Sequence, residues 1–555
     1  MTEFDAVIVG AGAGGGAVAW RLTQRGWRVL LLDAGPRFRL QDYPVDRADW
    51  ERGMFPEKPG SQGQYAYAAM QVLDERWRHL RSWNRLRGPS NTGLRRFAPA
   101  GGGYQHVRGI GGATLHFTGE AHRLNPLAMR MRSRFGVAAD WPVAYDELEP
   151  SYAIAEEIVG VAGSERVGDR WRSRPYPLPP HPLSPASRLL ADAGRSLGMD
   201  WQPNPRAALS QPYDGRPACN YCGNCNRGCS WRDKGSSDLT FIAKAEATGL
   251  CEVRSESTAT RLIRAATGRI AGVEYVGADG IRRRADGRHV ILAAGAIETP
   301  RLLLLSRPAD APRGIGNQHG QVGKHLMDTL FWVSIGLHER DLQSHKGLPA
   351  DVVCWDFNRP DSIPGVVGGC RFSAAIHESN LIGPINYALR VAPGWGRGFK
   401  QALRASFGHA LAVSAIGESL PNRRTYVDLD PRKRDGHGLP IARIHAHLEP
   451  NDLRRLEFMA QKCRALLRAS GCGEPIEESG SYDLLAMSHV FGTCRMGTDP
   501  RQSVVTPDQR VHGWENLFVC DASVFPSSGG GESPSLTIQA LAIRAADRMA
   551  DDARS

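Results

Sequence analysis

The first thirty-five residues carry the pattern that most restricts how this chain can fold. Phe4–Val9 is apolar and β-branched and ends at a glycine, which predicts a short buried strand. Gly10-Ala-Gly12-Ala-Gly-Gly15 follows, then an apolar-periodic helix through Ala17 and Leu22 that ends near Gly26. Trp27–Leu32 predicts a second strand, closed by Asp33. Each glycine has a physical task. Gly10 permits the tight turn, Gly12 lets backbone approach a pyrophosphate, and Gly15 lets the helix pack close to the strand. The helix N-terminus then faces the anion. Asp33 stands 23 residues after Gly10, where a carboxylate can accept from ribose hydroxyls. A G-x-G-x-x-G run alone is weak, but strand, turn, helix, strand and acid in order predict a dinucleotide site. The motif does not separate FAD from NAD.

At 555 residues the chain has room for roughly three to four domain-equivalents. Charged residues make up 23% and apolar residues 41%, which excludes a wholly disordered chain. The formal charge is +11, but the arginines are spread along the chain rather than clustered, so no nucleic-acid partner is expected. A docking face for an acidic partner suits that charge better. No apolar run reaches the roughly 18 residues of a membrane span. Val290–Leu305 comes nearest and contains Glu298, Pro300 and Arg301. The first strand begins within four residues of Met1, with no secretory signal before it, so cytoplasmic residence is the default expectation.

Further along, Val107–His116 is a second glycine-dense segment. His289–Pro300 reads as a buried strand, a turn and a helix with proline near its start. From about 330 to 450 successive strands are predicted at Leu330–Leu337, Asp351–Phe357, Val366–Ala375, Ile385–Val391, Ala410–Gly417 and Ile441–His447, forming a mostly antiparallel sheet. Asn451 is read as the cap of a helix with apolar positions Leu453, Leu456, Ala460, Cys463 and Leu467, ended by Gly471.

Four of the eleven cysteines, Cys219, Cys222, Cys225 and Cys229, fall within eleven residues. The gaps of two, two and three equal the iron–sulfur run of bacterial ferredoxins, with Ser230 where those carry proline. Structural zinc prefers two C-x-x-C knuckles set further apart. A 3Fe-4S or 4Fe-4S cluster, zinc and free thiols stand as the alternatives, iron–sulfur first.

The C-terminal seventy residues carry Ser488-His489-Val-Phe-Gly-Thr, Asn516-Leu-Phe-Val-Cys-Asp521-Ala522-Ser523, and Ser533-Pro534-Ser-Leu-Thr537 opening an alanine-rich helix. With Gly109–His116 and Gly295-Ala-x-x-Thr299-Pro-x-Leu-Leu-x-x-Ser306, these motifs resemble the glucose–methanol–choline (GMC) oxidoreductases, FAD enzymes, along the whole chain. Arg307 departs from the glycine usual in that signature. The resemblance implies an α/β fold, with an FAD-binding Rossmann-like domain over 1–325 and 481–555 and an antiparallel-sheet substrate domain over 326–480. It implies His489 as the base that takes the alcohol proton, a task that suits histidine. It places the cofactor against Gly10, Gly12, Gly15, Asp33, Gly112, His116, Asp521, Ala522 and Pro534.

Where the family has His or Asn as its second active-site residue, this chain has Ser533, and Glu532 or a water is the nearby group able to take over. His116 lies four residues after Gly112, where some members bond FAD covalently, so a covalent and a non-covalent contact are both open. Members with a similar cysteine loop carry an iron–sulfur cluster, with ligands at the positions of Cys219, Cys225 and Cys229. The implied activity is oxidation of a sugar, polyol or related alcohol, with electrons passing to a cytochrome c-like protein or a quinone. Such systems sometimes place a signal-free subunit in the periplasm by co-export with a small export or chaperone subunit. An oxidase with a structural cysteine loop and a flavoprotein without catalysis are the competing readings.

Overall fold

The computed structural model describes residues 4–43, 50–52, 55–57, 64–68, 70–97, 103–164, 170–266 and 268–554. The N-terminal unit forms as the glycine pattern predicts. Strand β1 (Phe4–Val9), helix α1 (Ala13–Gln24) and strand β2 (Val29–Leu32) lie in order. β1 pairs in parallel with β2 on one side and with the strand Arg282–Leu292 on the other. Cys251–Arg254 extends the sheet beside β2, and the late strand Leu517–Val519 joins beside Arg282–Leu292, both in parallel. The C-terminal helix Ser535–Asp552 packs on α1. Distant parts of the chain therefore meet at the carboxyl ends of β1 and β2, where open parallel sheets bind ligands.

The second layer is an eight-stranded antiparallel sheet built around Leu330–Leu337, Ala410–Gly417 and Cys370–Ala374. Its edges take short strands from outside 326–480, at Trp83–Asn84, Gly88–Pro89 and Gln202–Pro203. Side chains alternate along a strand, and here the alternation separates core from cavity. Leu330, Trp332, Phe372, Val413 and Ala415 pack in a core with the helix Pro450–Ala469. Full burial of each large apolar side chain there contributes about 1.5–3 kcal/mol. Phe331, Val333, Arg371, Ser373, Ser414 and Ile416 alternate with them and line the cavity.

Three sequence expectations change. Ile385–Val391 is not a strand: Pro384–Arg390 is a helix with proline at its first position, followed by the helix Gly396–Ser406. A short apolar run cannot separate the two states, and a fixed proline φ at the first helical position tips it to helix. Ile441–His447 contributes Pro440–His445 to a separate small sheet with Tyr426–Arg434, a strand the sequence reading passed over. The helix Pro450–Ala469 is capped by Glu449, not by Asn451, whose side chain bonds the Val367 backbone instead.

Candidate active site

A cavity of about 1080 Å³ runs from the β1–α1 turn to the open face of the antiparallel sheet. Gly10, Gly12, Asp33, Gly112, His116, His489, Asp521, Ala522, Ser533 and Pro534 all line it. Gly15 does not; it works behind the wall. A Cβ at Gly15 would lie 1.8 Å from the Gly10 carbonyl oxygen, and one at Gly10, whose φ is +102°, would lie 2.5 Å from that of Ala293. Around Gly12 a Cβ would meet nothing within 4 Å. Gly12 precedes an α1 N-terminus that carries no side-chain cap and no acid in its first turn. Open space at an uncapped N-terminus fits a pyrophosphate. Gly112 closes the other side, with its Cβ position 2.8 Å from the Gly12 Cα.

Asp33 does more than the ribose task expected of it. Its carboxylate accepts from the amides of Ala11 (2.9 Å), Gly35 (2.9 Å) and Gly109 (3.1 Å), and so ties both glycine-rich segments together. Burial lifts its pKa to about 6 despite those three amides. A carboxylate has roughly four acceptor directions, so one is left for a ribose hydroxyl. Asp521 acts similarly, accepting from the Gly295 amide (2.9 Å) and the Thr299 hydroxyl (2.6 Å) and joining the middle signature to the C-terminal block. Pro534 caps the helix Ser535–Asp552 at the cavity wall. These residues form a cradle that fits FAD.

His489 follows the strand Leu484–Met487 and is half-buried in the wall. Its Nδ1 has a long contact, 3.4 Å, to the Thr329 hydroxyl, and its Nε2 makes no hydrogen bond among the described residues. Burial pushes its pKa down to about 4, opposed by Glu120 and helped by Arg371. A neutral ring with a spare nitrogen is the state a general base requires.

The place of Ser533 is explained by residues the sequence reading did not single out. The Ser533 hydroxyl donates to Glu120 Oε2 at 2.8 Å. Arg371 donates to the same oxygen at 2.6 Å, and Asn204 donates to Oε1 at 2.9 Å. His122 Nδ1 accepts the Ser533 amide at 3.0 Å, so its proton sits on Nε2, bonded to Asn204 Oδ1 at 2.8 Å. Arg371 and its neighbours hold Glu120 well below the usual carboxylate range, while burial keeps His122 neutral with a pKa near 3. The serine proton is therefore committed to an ionised carboxylate, and the oxygen offers the cavity lone pairs only. Glu532 does not take over: it faces away and accepts from Arg170 (2.7 Å), Asn358 (2.9 Å) and the Asn125 amide (3.1 Å). Glu120 lies four residues after His116 and was within reach of motif reading; Arg371, on a sheet strand, gave no local signal.

Cys219, Cys225 and Cys229 lie near one another around the Asp233 carboxylate, but not in a metal-holding arrangement. Among the described residues no three His, Cys, Asp or Glu side chains form a group able to hold a metal ion. Cys222 is exposed, Cys225 is buried, and Cys219 and Cys229 are half-buried. Cys229 donates to Asp233 at 2.9 Å, and burial lifts the thiol pKa values, to about 11 for Cys229 and about 12 for Cys225. Cys219, Cys222, Cys225 and Cys229 thus form no metal-holding group in this arrangement, and the cluster expected from their spacing is not supported by it. The loop nevertheless abuts the site. Buried Lys234 donates to the carbonyls of Cys225 (2.7 Å), Leu115 and Phe117 (both 2.9 Å), clamping the loop to the segment that carries His116.

Fold and cavity together define a flavin-type oxidoreductase, and comparison with known proteins gives the family. Residues 142–331 and 421–542 match the GMC oxidoreductase family, and residues 8–59 match an NAD(P)-binding Rossmann-like domain. The chain is 30% identical to the 2-methyl-1,2-propanediol dehydrogenase of Mycolicibacterium austroafricanum, over 98% of this chain and 95% of that one. It is 28% identical to the fructose dehydrogenase large subunit of Gluconobacter japonicus, over 99% and 98%. Paromamine 6'-oxidase of Streptomyces fradiae is 30% identical, over 99% and 92%. The crystal structure of pyridoxine 4-oxidase from Mesorbium loti shares the fold, with a TM-score of 0.63 and 20% identity over 98% of both chains. The chain belongs to the GMC oxidoreductases. No helix among the described residues is long and apolar enough to cross a membrane.

Proposed function

We propose that this protein oxidises a CH–OH group of a polar alcohol, of the sugar or polyol kind, to the carbonyl. Bound FAD supplies the two-electron hydride acceptor. His489 Nε2 takes the hydroxyl proton, and the Ser533 oxygen, fixed by Glu120, accepts a hydrogen bond from the same hydroxyl before that proton leaves. The sheet face below carries hydroxyls suited to a polar substrate, with Ser373 and Ser414 oxygens 3.0 Å apart. The observation that carries this reading is a neutral histidine with a spare nitrogen on the wall that also holds the Gly12 cradle. The relatives named 2-methyl-1,2-propanediol dehydrogenase, fructose dehydrogenase and paromamine 6'-oxidase support it. Anaerobic addition of a panel of sugars and polyols is expected to bleach the flavin; a panel that leaves a fully loaded flavin oxidised overturns the reading.

His116, buried on the same wall, is proposed as the flavin contact, covalent or not. Yellow colour that stays with denatured protein decides between the two. Ser533→Ala is expected to slow flavin reduction about tenfold, the worth of one hydrogen bond. A loss as large as that for His489 would mean that serine carries the base function.

The acceptor side rests on less. The cysteine spacing predicts about three to four irons per chain, and no metal-holding group among the described residues supports it. Metal analysis of anaerobically purified protein checks this, and iron well below one atom per chain removes the cluster. With a cluster, the partner is a cytochrome c-like protein or a quinone, and an export or chaperone subunit becomes part of the reading. A relative named paromamine 6'-oxidase favours a second reading, an oxidase returning electrons to dioxygen; stoichiometric peroxide in air would establish it.

A further inference from the structure

The carboxylates that line the cavity are committed, with one exception. Glu120 holds Arg371, Asn204 and Ser533. Glu477 bonds Arg390 at 3.0 Å, Glu478 bonds Arg464 at 2.8 Å, and Glu298 bonds Arg301 at 3.0 Å. Asp33 and Asp521 accept backbone amides. Glu378 also lines the cavity, just beyond the strand Cys370–Ala374, and its side chain has no hydrogen bond or ion pair to another side chain among the described residues.

The groups that face Glu378 do not neutralise it at the cavity surface. Arg371 is held by Glu120 and by the Gly531 carbonyl, 2.7 Å away. Arg206 is completely buried and donates to the carbonyls of Thr118 and Ala350. Glu120 adds a second negative charge. His377, the preceding residue, is buried and kept neutral, with a pKa pushed down to about 3. Arg390 is paired, and exposed Arg87 reaches only the Leu389 carbonyl, at 3.5 Å. Glu378 is exposed to the open cavity, and the protein around that cavity lifts its pKa to about 7. Around it stand neutral polar side chains, Ser373, Ser379, Asn380 and Asn386.

We propose that Glu378 is the subsite for a cationic amine, so that the alcohol oxidised here is an amino sugar or amino alcohol whose ammonium is held while its CH–OH meets His489. This deepens the oxidoreductase reading and rests on it. An ammonium forms a charge-assisted hydrogen bond with the carboxylate, about twice as strong as one between neutral groups. A neutral polyol would leave the charge unmatched, which is a selection against it.

The test compares matched pairs, D-glucosamine with D-glucose and 3-amino-1,2-propanediol with glycerol, in anaerobic flavin reduction by the holoenzyme at pH 7. The amine of each pair is expected to be favoured at least about tenfold, the worth of one good ionic hydrogen bond. Glu378→Gln should erase that preference while keeping full flavin, and Glu378→Asp should keep part of it. The preference should also weaken as pH falls below about 7, where Glu378 takes up a proton. A wild type that favours the neutral partners, or a preference that survives Glu378→Gln, overturns the proposal. If none of the four compounds reduces the flavin, binding is read from the shift in flavin absorbance. Equal binding of amine and neutral partners then overturns the amine subsite. Tighter amine binding that Glu378→Gln removes upholds the subsite, even where the alcohol panel has overturned the oxidation reading.

Discussion

Replacing His489 with alanine is expected to slow flavin reduction by about 100- to 10,000-fold, the usual worth of a positioned base. That equals about 2.7–5.5 kcal/mol of barrier. Hydride leaves a carbinol carbon readily only as its oxygen loses a proton, and His489 is the motif-matched histidine on the cavity wall with an unbonded ring nitrogen among the described residues. Glu120 is held ionised far below neutrality and is a weak base for that reason. Flavin content should stay full, because the cofactor cradle lies at the β1–α1 turn rather than at this ring. The pH dependence carries a sign. Burial pushes His489 down to about 4, so the native rate should be flat near neutrality and fall as pH drops through about 4. In the alanine variant the deficit should shrink as pH rises and the substrate ionises unaided. Combined with Ser533→Ala, the effects should be less than additive, since both residues act on one oxygen. Anaerobic stopped-flow reduction measures all of this, and a wild-type rate in His489→Ala would place the base elsewhere.

The second large effect separates two glycines three residues apart. Gly12→Asp is expected to fold and to bind almost no FAD. Its backbone is extended, with φ −87°, and its Cβ would meet nothing within 4 Å. The new carboxylate would stand against the pyrophosphate. Two like charges about 4 Å apart near a protein surface repel by about 4 kcal/mol, roughly a thousandfold in affinity. Gly15→Ala should instead damage the fold itself, because its methyl would overlap the Gly10 carbonyl oxygen at 1.8 Å. The readouts are flavin content per chain and thermal unfolding. A folded Gly12→Asp protein with full flavin would remove the pyrophosphate from this turn.

The N-terminal unit was legible because every constraint in it is local. Turn, helix start and packing contact lie within six residues; Gly10 and Gly15 are demanded sterically and Gly12 by the approach of a ligand. The helix Pro450–Ala469 was legible for the same kind of reason, since its apolar spacing of three and four persists over the fifteen residues from Leu453 to Leu467. The seven residues Ile385–Val391 were not, because a run that short satisfies either period. His489, Ser533 and Asp521 could be named from their motifs, but not what each would touch.

The sequence by itself determined the class of chemistry: a dinucleotide turn, a histidine in a GMC-like block, and a serine where an amide or imidazole is usual. Only the tertiary structure decided how that serine works and where the free charge lies. Glu120 meets Ser533 across 413 positions and Arg371 across 251. Glu378 is distinctive only because the neighbouring carboxylates already have partners. Asp33, read as a ribose ligand, is a clamp between loops, and the four cysteines with cluster spacing form no metal-holding group among the described residues. Local patterns fix local backbone geometry, whereas hydrogen-bond partners and charge balance depend on which distant segments the sheets and helices bring to one wall.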